Sequence, residues 1–267
     1  MEVVLDVGGE GKFLDRATMS VKPFHPIWGQ AIWFTLNIEQ EKSPDILDDA
    51  VTLRQIKDSS VDGIYSSHTI EHVDYALSVQ MFRNWCRVLK PGGRIEIRCP
   101  DVEWTWKEYF SGRLPEAIVT ELIMGIRVGP YEVHRNLWWE SKLTNELHTQ
   151  GFVNARRIDY GFIQPSLDFW LYDGTHSEHH GFQVIDLLVE AYKPIDSVPE
   201  ARVNTQKVQF MSPSHSAVWA HAKRWTPYQF RALVRRLRSA QQRNEARNML
   251  RSIQTVESTD TWKINSP

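Results

Sequence analysis

The chain has 267 residues, 42% of them hydrophobic and 24% charged, with a formal net charge of −2. That length suits one elaborated α/β domain, alone or with a small appendage, and the composition excludes a disordered or fibrous chain. No apolar run is long enough to cross a bilayer, and the charge gives no global pull toward nucleic acid.

The opening text, MEVVLDVGGEG, has no basic leader region and no cleavage site, so no signal peptide is expected. Cys86 and Cys99 sit in apolar patterns without metal-ligand spacing. They read as reduced core residues of a cytoplasmic protein.

In chain order, Val3 to Val7 is a short apolar run ending in Gly8-Gly9, as a buried parallel strand followed by a tight loop would be. Ala31 to Ile38 is a second strand and Asp45 to Leu47 a short third. Val61 to Ser66 is the fourth. A helix is expected from about His72 to Leu89, with Leu77, Met81, Phe82, Trp85, Cys86 and Leu89 on its apolar face. Lys90-Pro91-Gly92-Gly93 ends it, and Arg94 to Cys99 alternates as a fifth strand.

Asp101 to Trp139 reads as short helical pieces and Glu140 to Thr149 as a helix. Phe152 to Ile158 and Val184 to Tyr192 are strands six and seven, separated by a polar, aromatic insertion from Asp159 to Gly181. The expected fold is a Rossmann-like α/β domain, a seven-stranded, mostly parallel sheet flanked by helices, over residues 1–195. Its substrate-side insertions are 101–139 and 159–181. Residues 196–267 read as a linker and a basic helical tail.

Four strand ends carry groups suited to a nucleoside-like ligand. Glycines after the first strand let the backbone approach such a ligand without Cβ obstruction. The candidate contacts there are Asp6, Gly8, Gly9, Glu10 and Gly11. Asn37 or Glu39 after the second strand can meet ribose hydroxyls, and Asp48-Asp49 after the third can meet an adenine edge. Ser66, Ser67 and His68 close the fourth strand, and Asp101 follows the fifth.

SVDGIYSSHTIEHV followed by RVLKPGGRIEIRCPD resembles the class I S-adenosylmethionine-dependent methyltransferases of glycan and natural-product pathways. VHRNLWWESKLTNELHTQGFVNARRI resembles the later helix and strand of the same family, so the likeness covers roughly residues 2 to 193. It implies S-adenosylmethionine as methyl donor and an acceptor site over the carboxyl ends of strands four and five. The acceptor expected is a small molecule or glycan intermediate, methylated on a hydroxyl. Two departures stand out: Glu10 replaces a usual glycine and Asn37 a usual acid. They keep a non-catalytic donor-binding protein as an alternative, beside a nucleic-acid methyltransferase.

His134 is the candidate general base, since removing a hydroxyl proton suits an imidazole near neutrality. Asp101 and His68 are the other catalytic candidates. Glu71 and His72 read as structural residues opening a helix. His176-Ser-Glu178-His179-His180 reads as a polar substrate lid rather than a metal site, because it lacks the i, i+4 helical spacing. No metal is expected.

The tail has a capping box at Thr226-Pro227-Tyr228-Gln229 and an apolar stripe, Phe230, Leu233, Val234 and Leu237. Arginines 231, 235, 236, 238, 243, 247 and 251 face one glutamate, Glu245. Docking on its own acidic body or on a second copy as a homodimer is expected, and nucleic acid is not.

Overall fold

A computed structural model describes residues 2–9, 25–29, 31–125, 131–159, 168–169, 182–183, 185–195 and 240–255. Strands are β1 (Val3–Val7), β2 (Ile32–Asn37), β3 (Ile46–Leu47), β4 (Val61–Ser67), β5 (Leu89–Pro100), β6 (Val153–Arg157), β7 (Asp168–Phe169), β8 (Phe182–Gln183) and β9 (Asp186–Tyr192). Helices are α1 (Tyr75–Val88), α2 (Val102–Phe110), α3 (Glu116–Met124), α4 (Glu140–Thr149) and α5 (Ala240–Ile253).

Seven strands form one sheet in the order β3-β2-β1-β4-β5-β9-β6. Pairings from β3 to β5 are parallel, and β9 runs antiparallel between β5 and β6. Strands β1 and β2 are legible because a strand covered on both faces must be apolar at almost every position. All five residues of β1 are buried, and so are Ile32 to Leu36 of β2. The order reverses between β1 and β4, and a ligand crevice opens at the carboxyl ends of strands at such a reversal.

Lys90 to Gly93, which end helix α1, are part of the sheet. Those residues lie within β5 as an irregularity, with Val61 opposite Leu89 and Gly63 already opposite Arg94. Gly92 takes φ +76°, a left-handed conformation that suits glycine. Helix α1 starts at Tyr75, after a short 3-10 turn at Ile70–His72. It buries Ser78, Met81, Phe82, Trp85 and Val88, whereas Leu77, expected on the apolar face, is exposed. Strand β6 is an exposed edge whose charged residues discourage pairing with another chain. Within the 159–181 insertion only Asp159 and β7 are described, and β7 pairs antiparallel with β8, which follows the insertion.

Helix α5 docks on its own chain. Ala246 and Ile253 are buried in the main core, and Met249 and Leu250 pack against it. Thr255 N–H donates to Gln55 O (2.7 Å) and Lys57 N–H to Ile253 O (2.9 Å). The predicted apolar stripe at 230–237 lies outside the described residues. Truncation after Pro213 removes the α5 contacts and should cost about 3–5 kcal/mol of stability. Thermal melting of the truncated protein checks this; an unchanged midpoint would mean that the helix adds nothing. Among the described residues, no helix is long and apolar enough to cross a membrane.

Candidate active site

The strand order brings the predicted glycine loop and the end of β4 side by side. Gly8 sits at φ +83°, and a Cβ built on it would lie 2.0 Å from Thr69 Oγ1. A Cβ on Gly9 would meet Asp6 Oδ2 at the same distance. Thr69 and Asp6 therefore fill the space that side chains at these two positions would need, and only glycine backbone fits there. Asp6 is buried. Glu10 and Gly11 lie outside the described residues.

Asn37 is committed to holding this loop. Its amide Nδ2 donates to Gly8 O (3.1 Å) and Gly9 O (3.3 Å), and its Oδ1 accepts from Glu39 N–H (2.9 Å). Asn37 is thereby engaged within the protein, and Glu39 is half-buried two residues past β2. Asp48 is buried and accepts from the backbone N–H of Asp49 and of Gln55, both at 2.8 Å. Burial raises its pKa above the usual aspartate range. Asp49 accepts from Val51 N–H (2.8 Å). Both carboxylates thus shape the loop after β3. Ser66 is fully buried, and Ser67 partly so.

His68 is held between two buried carboxylates. Its Nε2 lies 3.0 Å from Asp186 Oδ2 and its Nδ1 3.2 Å from Glu71 Oε1. Arg98 Nε donates to the same Asp186 oxygen (2.7 Å). Burial opposes charge on the imidazole, but Asp186 and Glu71 outweigh it and raise the pKa to about 9. His68 is therefore an imidazolium at neutral pH, and a protonated ring cannot take a proton. Of the catalytic candidates, His68 is therefore not placed as a base.

The pair's contribution to stability follows from this shift. A pKa raised from 6.5 to about 9 stabilises the fold fully below pH 6.5, and the contribution is lost as pH rises through 9. The span corresponds to roughly 3 kcal/mol. His68 has φ +52°, which asparagine tolerates. Between pH 6 and 10 the wild type should lose roughly 6–10 °C of melting temperature more than His68→Asn does. Parallel curves for the two proteins would count against the ion pair.

Asp101 is also committed. Its Oδ1 accepts from Trp104 N–H (3.1 Å), capping α2, and its Oδ2 accepts from Arg157 Nη1 (2.8 Å). With both oxygens engaged and the residue buried, Asp101 fixes α2 against β6 and is not placed as a base.

His134 differs. Its Nδ1 lies 2.9 Å from Leu122 O, and its ring meets that of His72 at 4.9 Å between centroids. A carbonyl only accepts, so the Nδ1 proton points at it and Nε2 keeps its lone pair. Burial lowers the His134 pKa below the usual histidine value, which keeps the ring neutral. The segment carrying it is tied to the turn after β4, since Arg135 and Asn136 N–H both donate to Glu71 O (2.8 and 3.1 Å). Glu71 and His72, read from sequence as helix-opening residues, thus face His134. Asp186 and Arg98 were missed altogether; no local pattern announces a partner 118 residues from His68. The His176–His180 cluster lies outside the described residues.

Residues 29–97 match the family model described as a methyltransferase domain. Solved structures with similar folds include an S-adenosylmethionine-dependent methyltransferase from Archaeoglobus fulgidus, 18% identical over 72% of this chain and 86% of that one, with a TM-score of 0.45. Another, from Methanosarcina mazei, is 16% identical over 73% and 93%, with a TM-score of 0.47. The 1,6-didemethyltoxoflavin-N1-methyltransferase of Burkholderia thailandensis, solved with S-adenosylhomocysteine bound, is 13% identical over 72% and 71%, at 0.40. No curated protein sequence matches the chain. The match to a methyltransferase domain thus runs from β2 into β5, across the parallel core of a Rossmann-like sheet.

Proposed function

We propose that the enzyme methylates a hydroxyl of a small polar acceptor, a sugar, glycan intermediate or natural product, and that residues 1–195 form the catalytic domain. The observation that carries this reading is the open Nε2 of His134, on a neutral ring beside Glu71 and His72 at the carboxyl end of β4. Bound S-adenosylmethionine supplies an electrophilic methyl group. Gly8-Gly9 with Glu10 and Gly11, Glu39, Asp48-Asp49 and Ser66-Ser67 make up the donor side, and Asn37 clamps the glycine loop. His134 Nε2 receives the acceptor proton, while His68, Asp186 and Arg98 hold Glu71 in place. Most of the rate comes from orienting the acceptor oxygen in line with the methyl carbon.

Trp104, Trp106, Tyr109 and Trp139 on and after the α2–α3 region supply aromatic surface of the kind that lines small-molecule pockets. Calorimetric titration with S-adenosylhomocysteine, then labelled methyl transfer to a panel of hydroxyl, amine and oligonucleotide acceptors, tests the reading. Binding with turnover on hydroxyl acceptors is expected. Turnover confined to oligonucleotides, or tight binding with none on any acceptor, sinks it.

A further inference from the structure

We infer that Glu71, His72 and His134 form a binding site for one divalent first-row transition cation of the zinc type. One ligand atom from each residue lies within 4.8 Å of the others. Ligands around a tetrahedral zinc are about 3.4 Å apart, so a small inward turn of the side chains closes the site.

Three independent features prepare these groups for a cation. His72 Nδ1 is 3.2 Å from Val133 O, and His134 Nδ1 is 2.9 Å from Leu122 O. Each carbonyl fixes the proton on Nδ1 and leaves an Nε2 lone pair, the outer-shell arrangement that orients metal-bound imidazoles. Glu71 is 2% exposed, and its Oε2 has no hydrogen-bond partner. A buried carboxylate oxygen left bare is costly, and a cation removes that cost. Its other oxygen leans on His68, itself held by Asp186, so the carboxylate has its own outer shell.

The frame is also built. Glu71 and His72 are consecutive on a 3-10 turn, and the strand-like segment bearing His134 is pinned to Glu71 O. Two imidazoles and one carboxylate suit zinc and its neighbours, not magnesium or calcium, which prefer oxygen ligands. Three protein ligands leave a fourth position, as in catalytic zinc sites. The site's existence does not depend on the proposed acceptor chemistry. Only its role does: an acceptor hydroxyl on the ion would give its proton to solvent, and His134 would be a ligand instead of a base.

The test uses the full chain, stripped with a chelator and titrated with Zn²⁺ against a chromogenic competitor, and with Co²⁺ followed by visible absorption. One equivalent should bind, and Co²⁺ should give the intense bands of four-coordination. His72→Asn and His134→Gln should each weaken binding by at least about 100-fold, with melting curves confirming that both variants fold. Glu71→Gln is the third variant should either fail to fold. No stoichiometric binding by the wild type, or full affinity in the folded variants, overturns the inference. So does loss of the ion in a His176→Ala/His179→Ala double variant, which would place it on that loop. S-adenosylhomocysteine affinity of the stripped protein is read in parallel. If it persists without any metal binding, the metal site falls and the methyltransferase reading stands.

Discussion

Gly8→Val should abolish measurable S-adenosylhomocysteine binding, a loss of at least about 100-fold by calorimetry. Two costs combine at this residue. Its φ of +83° is a conformation that costs an L-residue about 1–2 kcal/mol. A Cβ there would also lie 2.0 Å from Thr69 Oγ1, whose hydroxyl donates to Val7 O (3.2 Å). Thr69 must move, and with it the end of β4; otherwise the glycine loop lifts off Asn37. Either shift displaces one wall of the crevice at the β1/β4 reversal. Gly112 provides the control. It has φ +74°, but nothing lies within 4 Å of a Cβ built on it. Gly112→Ala should therefore cost about 1 kcal/mol of stability and leave donor affinity alone. Wild-type affinity in Gly8→Val would rule out the donor placement.

The second large effect is expected at His134. Replacing it with alanine should lower kcat by about 10²- to 10⁴-fold, the range for loss of a positioned acid–base group. Donor affinity should stay within about threefold, because no donor-side element contains the residue. The pH profile carries the sign. The ring must be neutral to act, and burial depresses its pKa below 6.5. Activity should thus fall on acidification through that depressed value and hold from neutrality up to about pH 9, where His68 gives up its proton. Metal removal separates the two roles His134 can hold. Turnover lost in His134→Ala but untouched by chelation makes the imidazole a base. Turnover lost in both cases, and restored to the stripped enzyme by zinc, makes it a ligand. Full activity in His134→Ala excludes both.

The sheet was legible in the sequence because its buried strands are nearly continuous apolar runs. Val3 to Val7 and Ile32 to Leu36 are buried on both faces. Helix α4 was legible end to end, closing before Gly151. The roles of polar residues were less legible, because a side chain's role depends on what the fold sets against it. Asp101 reads as a base beside a strand end until α2 starts beneath it and Arg157 arrives from β6. His68 reads as a catalytic candidate until Asp186 is brought in by β9, which pairs antiparallel with β5. Asn37 stands where the family carries an acid. Its amide can donate to two carbonyls of the glycine loop, which a carboxylate cannot do.

The docking of α5 has a thermodynamic consequence for the donor crevice. The helix and Thr255 grip Gln55 and Lys57, while the N–H of Gln55 is held by Asp48 at the proposed adenine side. One loop therefore serves both the carboxyl-terminal helix and the crevice. Any ligand that favours the ordered form of this loop also favours the docked helix, and reciprocity requires the helix to favour that ligand by the same factor. Amide exchange in residues 240–255 would then slow on saturation with S-adenosylhomocysteine, reporting crevice occupancy from a segment that never touches the ligand.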